Sequence, residues 1–407
     1  MCDTLDLFSN KCGENSGYLD NKVFVGENMK VLQRLDVNSI DFIYIDPPYN
    51  TNNKFSYNDT NDNWGTDILH RLELAKVVLK QSGIICISID DNELATLLMI
   101  CYSVFQKKNY VGTFITRQAQ RSNAKYINIT HEYVVVFAKD KRYVTQFFIK
   151  RMNLPDDAEM IQTITWKVSA AFKQGRDVAL HTLKELLSKY ASEKNISWLK
   201  NYSNIDENGR VFFAKDLSTP SKPNELRIDE VGLVLPKLKT RGWSSKDKFL
   251  RLYEQNRLCF RHGRPYEIQY LDEATENVNS VLNFYSRQGT NDLKKLGLDG
   301  IFDTPKPVEL IKFLIRATMH KNAKILDFYA GSGTTGQAVY EVNKEDKKKH
   351  SFILVQKKEA ITEKSSVYAK LKKQGIENPT VVDVLLIRLN TYLKKNHMNV
   401  DFEVKEF

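Results

Sequence analysis

The segment AKILDFYAGSGTTG, residues 323–336, indicates the fold of the chain that contains it. Its first part, Ala323 to Phe328, is a short apolar run typical of a buried strand. Three glycines follow, and then a helical pattern begins. A glycine loop between a strand and a helix cradles nucleotide-like ligands, because glycine lets the backbone approach closely and the helix N-terminus offers unpaired N–H groups. The segment therefore predicts an α/β domain with a ligand cradle.

The spacing of Gly331 and Gly336 imitates a phosphate-binding loop, but Gln337 stands where that loop has lysine and Ala338 where it has Ser or Thr. The absent lysine leaves no charge for β- and γ-phosphates and argues against an ATPase. A ligand without polyphosphate fits better, and S-adenosylmethionine is one, since backbone N–H groups can bind its carboxylate. For the loop alone, a plain glycine-rich turn is the alternative.

A second motif, IDFIYIDPPY at residues 40–49, also begins as a buried strand and ends at two prolines that cannot continue a sheet. An acidic residue followed by two prolines suits a reaction at the amine of a nucleobase. That amine is a poor nucleophile because its lone pair is delocalised into the ring. Asp46 can accept one amine hydrogen, and the rigidly held carbonyl of Pro47 can accept the other. Tyr49 offers a flat face for an extruded base. With the glycine loop, Asp46-Pro47-Pro48-Tyr49 predicts a catalytic corner; a proline-rich strand end is the alternative.

Strand and helix patterns alternate in two blocks, which predicts a doubly wound, mostly parallel sheet. The first block has helical spacing at 67–81 and 93–105 and strands at 84–89 and 133–137. The second has helices at 307–319 and 336–343 and a strand at 351–355. An α+β module separates them. The predicted domains are a lead-in (1–21), a catalytic half (22–140), the inserted module (141–299), a cofactor half (300–390) and a tail (391–407).

The inserted module carries a basic stretch at residues 237–264, with nine Lys or Arg against Asp247 and Glu254, interleaved with aromatic residues. Such a mixture suits a surface that neutralises phosphates and stacks on bases. A solvated basic face around a small aromatic core is the alternative. The predicted DNA-binding residues are Lys237, Lys239, Arg241, Trp243, Lys246, Lys248 and Arg251.

Composition narrows the class of protein. The chain has 407 residues, 42% of them hydrophobic and 27% charged, with a formal net charge of +10. No apolar run is long enough for a membrane span, and the N-terminus does not resemble a signal peptide. The five cysteines form no C-x-x-C pair, which predicts free thiols, a cytoplasmic location and no metal site.

These motifs, in this order, resemble the amino-methyltransferases of the β permutation class, above all the modification subunits of type III restriction systems and their solitary relatives. In that class the catalytic motif precedes the cofactor motif. The landmarks that carry the resemblance are Val25-Gly26-Glu27-Asn28, Asp46 to Thr51, Ser88 to Glu93, His131-Glu132-Tyr133, Phe302 to Pro307, Asp327 to Thr335 and Phe352 to Gln356 with Glu359.

The resemblance implies a prokaryotic enzyme with a circularly permuted, Rossmann-like methyltransferase fold, which moves a methyl group from S-adenosylmethionine to N6 of adenine in double-stranded DNA. The inserted module would be the target recognition domain, with a restriction subunit and a second copy of the chain as partners. The implied cofactor-binding residues are Lys306, Pro307, Asp327, Phe328, Tyr329, Gly331, Ser332, Gly333, Thr334, Thr335 and Glu359.

Three other functions compete with this one. N4-cytosine methylation uses a similar corner, but that group usually has Ser in place of Asp46. Methylation of RNA or of protein amides usually goes with Asn at this position. A DNA-binding module with a vestigial cofactor loop is the third alternative, and S-adenosylmethionine binding would distinguish it.

Overall fold

The computed structural model describes residues 20–51, 56, 63–118, 125–193 and 196–407. Two compact units emerge: one joins the described residues up to Phe148 with Val278–Phe407, and the other is Ile149–Asn277. The second unit is narrower at both ends than the predicted module of residues 141–299. Residues 1–19 of the predicted lead-in lie outside the described part of the chain.

The helices and strands before Phe148 are β1 (Lys22–Val25), α1 (Asn28–Leu32), β2 (Ile40–Ile45), α2 (Trp64–Val78), β3 (Leu79–Ile89), α3 (Leu94–Phe105), β4 (Tyr110–Arg117) and β5 (His131–Ala138). The next ones are β6 (Phe148–Lys150), α4 (Pro155–Phe172), α5 (Arg176–Glu193), β7 (Asn204–Ile205), β8 (Val211–Asp216), β9 (Ser218–Thr219), β10 (Leu226–Ile228), β11 (Leu233–Leu235), β12 (Gly242–Trp243), α6 (Lys246–Glu254), β13 (Leu258–Arg261), β14 (Arg264–Tyr270) and β15 (Thr275–Asn277). The last ones are β16 (Val281–Tyr285), α7 (Arg287–Lys295), α8 (Val308–Thr318), β17 (Lys324–Asp327), α9 (Thr334–Asp346), β18 (Ser351–Gln356), α10 (Ser366–Lys373), α11 (Val381–Lys395) and β19 (Glu403–Glu406).

The first unit is built on a nine-stranded sheet in the order β16-β4-β5-β3-β2-β17-β18-β1-β19. Strand β5 runs antiparallel to both of its neighbours, β3 and β4. Every other pair of neighbours in this sheet is parallel. The prediction of a mostly parallel sheet is therefore confirmed.

The two motifs follow neighbouring strands at the centre of this sheet. Strand β2 pairs with β17 through Phe42 opposite Ile325 and Ile43 opposite Leu326. From β2 the sheet continues to β3 on one side, and from β17 it continues to β18 on the other. The order of the strands therefore reverses between β2 and β17, and ligands of open α/β sheets bind outside the carboxyl ends of strands at such a point.

Helices cover both faces of the sheet, as in a doubly wound fold. Ile353 and Val355 of β18 belong to the apolar core that includes Leu72 of α2 and Leu97 of α3. Phe352, next to them on the same strand, points to the opposite face. There its ring packs edge to face on Tyr340 of α9, with the ring centroids 5.3 Å apart.

The predicted tail, residues 391–407, is instead part of the fold. Helix α11 continues to Lys395, and β19 pairs in parallel with β1, placing Val404 opposite Val23. The sequence of β19 is EVKE, too short and too charged to predict a strand, although this composition suits the edge of a sheet. Among the described residues, no helix has the length and apolarity needed to cross a membrane.

The second unit has the predicted α+β composition. Its largest sheet has the order β13-β14-β8-β7, with every pair antiparallel. Helices α4 and α5 contribute Ile161 and Leu183 to one apolar core, which also contains Val211 of β8.

Candidate functional site

A cleft of about 780 Å³ lies where the catalytic corner and the glycine loop meet in the first unit. It brings together Asp46-Pro47-Pro48-Tyr49, which follows β2, and residues of the loop that follows β17. Other lining residues come from distant parts of this unit, among them Asp90, Gln118, Glu132, Thr304, Lys306, Gln356 and Glu359. The topology explains this convergence, because the loops after neighbouring parallel strands lie at the same edge of the sheet.

The catalytic corner is held by hydrogen bonds to its own residues. The hydroxyl of Tyr49 donates to Oδ1 of Asp46 at 2.8 Å. The indole N–H of Trp64, the first residue of α2, donates to the carbonyl oxygen of Pro48 at 2.6 Å. No described residue donates to the carbonyl oxygen of Pro47, which remains available as an acceptor.

Lys306 lies in the middle of this corner, although the resemblance assigned it to the cofactor. Its Nζ is 2.8 Å from Oε2 of Glu132, 2.6 Å from the hydroxyl of Tyr49 and 3.3 Å from Oδ1 of Asp46. The same ammonium lies 4.7 Å from the centroid of the Tyr49 ring. Gln118 donates to the other carboxylate oxygen of Glu132. The ammonium group of Lys306 therefore contacts two carboxylates and the phenol of Tyr49.

Burial and charge act in opposite directions on this cluster. Burial raises the pKa of Asp46, Lys306 lowers it, and Glu132 raises it, for a net rise. Burial lowers the pKa of Lys306, but Asp46 and Glu132 outweigh burial, so the pKa of this lysine is raised. Lys306 therefore stays charged at neutral pH.

The glycine loop is organised around Asp327, which is only 2% exposed. The hydroxyl of Thr335 donates to its Oδ2 at 2.5 Å, and the backbone N–H of Tyr329 donates to its Oδ1 at 3.0 Å. Burial raises the pKa of Asp327 to about 7 against the opposing effect of these two donors. Gly331 has a φ of 50°, a conformation that favours glycine, and its N–H donates to Oε1 of Gln356 at 2.8 Å.

Most of the proposed cofactor-binding residues line the cleft, namely Lys306, Asp327, Tyr329, Gly331, Ser332, Thr334, Thr335 and Glu359. Pro307, Phe328 and Gly333 are not among its lining residues. Pro307 immediately precedes α8, and Gly333 immediately precedes α9 with a φ of 80°. Phe328 is buried in the apolar core of the sheet. These three residues therefore lie next to the cleft-lining segments and do not themselves face the cleft.

A second cavity of about 320 Å³ shares Pro48, Tyr329, Gln356 and Glu359 with the cleft. Its far wall is fixed by Arg71, Asn28 and Phe328: Arg71 donates to Oδ1 of Asn28 at 2.7 Å, and Nδ2 of Asn28 donates to the carbonyl of Phe328 at 3.0 Å. Glu359 lines both cavities. Lys357, two residues before Glu359, pairs with Glu27 at 2.9 Å.

Three members of the site were not assigned a role from the sequence. Glu132 stood in the His-Glu-Tyr landmark, and Gln356 ended a predicted strand landmark. Trp64 had no signal, because it precedes the apolar periodicity that predicted its helix. For Glu132 and Gln356, their position in a family-like motif was a sequence signal. Their contacts could not be predicted, because these depend on the packing of distant segments.

In the second unit the predicted DNA-binding residues differ in their surroundings, and the prediction is wrong for Trp243. Trp243 is 6% exposed and donates its indole N–H to the carbonyl of Pro236 at 2.9 Å, so it packs inward and offers no face for stacking on a base. Lys246 pairs with Glu230 at 2.7 Å, and Lys248 pairs with Glu267 at 2.8 Å.

The remaining predicted basic residues are exposed. Arg241 donates to the carbonyl oxygen of Ser218 at 3.2 Å. Lys237, Lys239 and Arg251 are exposed, and none of them forms an ion pair with a described residue.

Among the described residues, no group of three or more His, Cys, Asp or Glu residues could hold a metal ion.

Comparison with known proteins gives a family match that spans most of the chain. The model of a family described as DNA methylase matches residues 40–367. The chain is 28% identical to the type III restriction-modification enzyme EcoP15I Mod subunit of Escherichia coli, over 91% of this chain and 63% of that protein. It is also 28% identical to the type II methyltransferase M.KpnI of Klebsiella pneumoniae, over 94% of this chain and 89% of that protein.

Among solved structures, one described as a putative DNA modification methylase from Thermus thermophilus, complexed with S-adenosyl-L-methionine, aligns with 95% of this chain and 98% of its own. The sequence identity is 11% and the TM-score is 0.42. The chain thus spans less than two thirds of the EcoP15I subunit but most of M.KpnI.

Proposed function

The chain belongs to the DNA methylase family, and from this membership we propose that it transfers a methyl group from S-adenosylmethionine to the N6 amine of a flipped adenine in duplex DNA. The observation that carries the proposal is the meeting of Asp46-Pro47-Pro48-Tyr49 and the Asp327–Thr335 loop in one cleft. An amine acceptor site and a cofactor cradle within one cleft are what this reaction requires.

The corner is suited to an exocyclic amine. The carboxylate of Asp46 and the carbonyl of Pro47 provide two acceptors for two amine hydrogens, and the bond from Trp64 to Pro48 holds the backbone beside them. Preorganised acceptors of this kind stabilise positive charge as it develops on the nitrogen.

The cradle fits S-adenosylmethionine by its shape and its donors. Gly331 approaches the cleft with a positive φ, and the N-terminal turn of α9 presents N–H groups without intrahelical partners. Glu359, at the boundary of the two cavities, is an acidic residue suited to hydroxyl groups of a ribose. The bound cofactor would supply an electrophilic methyl group on a sulfonium.

The N6 position is favoured over N4 of cytosine because Asp, not Ser, occupies position 46. The test incubates the purified protein with duplex DNA and isotopically labelled S-adenosylmethionine, digests the DNA and identifies the labelled nucleoside. We expect the label in N6-methyl-2′-deoxyadenosine. Label in N4-methyl-2′-deoxycytidine would instead show that the enzyme methylates cytosine. Absence of transfer together with absence of cofactor binding would favour a DNA-binding module with a vestigial loop.

We further propose that the second unit recognises the DNA target, with Lys237, Lys239 and Arg251 as its phosphate contacts. This follows from their exposure and from the absence of ion pairs to described residues. A restriction subunit as partner is proposed on similarity alone, because the EcoP15I relative is itself named as a Mod subunit. Co-purification of the tagged chain from its native cells tests that partner.

A further inference from the structure

Arg388 of α11 is a fully buried guanidinium at the base of the glycine loop, with 0% of the residue exposed. Its Nη1 donates to Oγ of Ser332 at 2.9 Å and to Oγ1 of Thr334 at 2.6 Å. Its Nε donates to Oε1 of Gln337 at 2.8 Å. Its Nη2 is buried and has no hydrogen-bond partner among the described residues.

The bonds from Arg388 fix the polarity of two hydroxyl groups in the cleft. A guanidinium can only donate, so Ser332 and Thr334 both act as acceptors toward it. Each hydroxyl then has one hydrogen left to donate. The two oxygens lie 3.4 Å apart, so one hydroxyl can donate to the other, but the second hydrogen of the pair must go elsewhere. Since both residues line the cleft, the pair presents at least one O–H donor that needs an acceptor.

The charge around Arg388 also favours an anion. Its guanidinium contacts the start of α9, a 13-residue helix whose N-terminus is itself the positive end of the helix dipole. Burial lowers the pKa of Arg388 to about 10, against the influence of Asp292 and Glu341, so the residue remains charged at neutral pH. Neither carboxylate forms a hydrogen bond with it. The guanidinium and the helix N-terminus therefore lie together directly behind Ser332 and Thr334, and no carboxylate of the described chain forms a hydrogen bond with the guanidinium.

We propose that Arg388, through Ser332, Thr334 and the first turn of α9, forms the subsite for the α-carboxylate of the S-adenosyl amino acid. This inference rests on the proposed function, because it names the part of the cofactor that this end of the cleft recognises. Arg388 is a positioning residue: it orients the donors and supplies the charge, while the hydroxyl groups face the ligand.

The test compares two ligands that differ in the amino-acid portion. S-adenosylhomocysteine has the carboxylate, whereas 5′-methylthioadenosine has the same nucleoside and sulfur without it. Titration calorimetry would measure both ligands with the wild-type chain, Arg388→Gln and Arg388→Lys. We expect Arg388→Gln to weaken S-adenosylhomocysteine about 10-fold or more, as for loss of a charge-assisted hydrogen bond. Binding of 5′-methylthioadenosine should change less than about 2-fold, with partial recovery in Arg388→Lys.

Because Arg388 is buried, Arg388→Gln can fail to fold, which a thermal melt would reveal. Thr334→Val is the second variant, since it removes one hydroxyl and keeps both the shape and Arg388. It should show the same selective loss. Equal weakening of both ligands, or no weakening of either, overturns the carboxylate subsite and leaves the proposed function standing. A wild-type chain that binds neither ligand overturns the proposed function as well.

Discussion

Asp46 and Glu132 are bridged by a single ammonium group: Nζ of Lys306 lies 3.3 Å from Oδ1 of the first and 2.8 Å from Oε2 of the second. These residues come from three segments that are distant in the chain. The lysine compensates the charge of a carboxylate that burial would otherwise tend to protonate. The protonation of Asp46, which would accept a hydrogen of the amine, therefore depends on Lys306, a residue outside the catalytic motif.

The first prediction concerns Lys306→Met and the dependence of kcat on pH. Methyl transfer requires the ionised form of Asp46, so activity falls as the pH drops through the pKa of that carboxyl. Lys306 lowers this pKa, and its removal should raise it. We expect the acidic limb of kcat, measured with both substrates saturating, to move to higher pH.

Lys324→Met is the control for that experiment. Lys324 starts β17, at the opposite end of the strand from the loop, and its ammonium pairs with Asp20 at 3.1 Å. Its pH profile should match that of the wild type. If Lys306→Met also left the acidic limb in place, Asp46 would not be the group that titrates.

The second prediction separates the amine site from the cofactor site. Asp46→Ala should abolish methyl transfer and leave S-adenosylmethionine binding largely intact, since Asp46 serves the amine. Gly331→Val should lose cofactor affinity first, because a branched side chain at a φ of 50° strains the loop and enters the approach path. Equilibrium binding and transfer assays on both folded variants give the comparison. Parallel loss of both properties in Asp46→Ala would contradict this division.

The third prediction concerns Asp327 and stability. Its pKa is raised by burial to about 7 in the folded chain, above the value of about 3.9 for an exposed aspartate. Between these two values the folded state binds the additional proton, so the wild type loses stability as the pH rises from about 4 to about 7. Above that window the loss is constant.

Asp327→Asn lacks this titration. We therefore expect its melting temperature to gain on that of the wild type as the pH rises across the window, with no further gain above about pH 7. Thermal unfolding in a series of buffers measures the difference. A difference that does not change with pH would show that Asp327 is ionised throughout in the folded chain.

The sequence predicted the centre of the sheet well. Residues 40–45 and 84–89 are continuous apolar runs because central strands are covered on both faces, and both form strands. The direction of β5 was not available from its sequence, since an apolar run is the same in either orientation. In the structure β5 runs antiparallel to β4, with Thr113 opposite Val135.

Site chemistry was predictable where one segment contains it and not where several segments meet. The Asp46–Tyr49 corner and the glycine loop are local motifs, so the sequence alone identifies their residues. The bridge from Lys306 to Glu132 and the support of the loop by Arg388 are formed by side chains from separate segments. Trp243 was assigned to DNA from composition alone, but composition cannot tell which aromatic residues of a basic stretch form its core.

The fourth prediction concerns the basic surface of the second unit. Replacing Lys237, Lys239 and Arg251 together by Ala should weaken duplex binding and reduce the slope of log affinity against log salt by up to about 2.7, about 0.9 for each phosphate contact. Fluorescence anisotropy at several salt concentrations measures the slope.

Lys246→Ala with Lys248→Ala is the matched control, because both ammonium groups already pair with Glu230 and Glu267. This double variant should change the slope much less. An unchanged slope in the triple variant would assign the exposed residues to ordinary solvated surface.

The last prediction concerns assembly as a homodimer through α3. This helix buries Leu97 and Cys101 against the core of the sheet, yet Met99 on the same helix is 73% exposed. A helix that is apolar on more than one side is usually covered on more than one side, and two-fold dimers are the commonest closed oligomers. Light scattering at micromolar concentration should give twice the 47.1 kDa of one chain. Met99→Glu should return the mass to one chain. Val37→Glu, which changes another exposed apolar residue (62% exposed, before β2), should not. A wild-type chain that is monomeric and fully active would exclude the dimer as the working form.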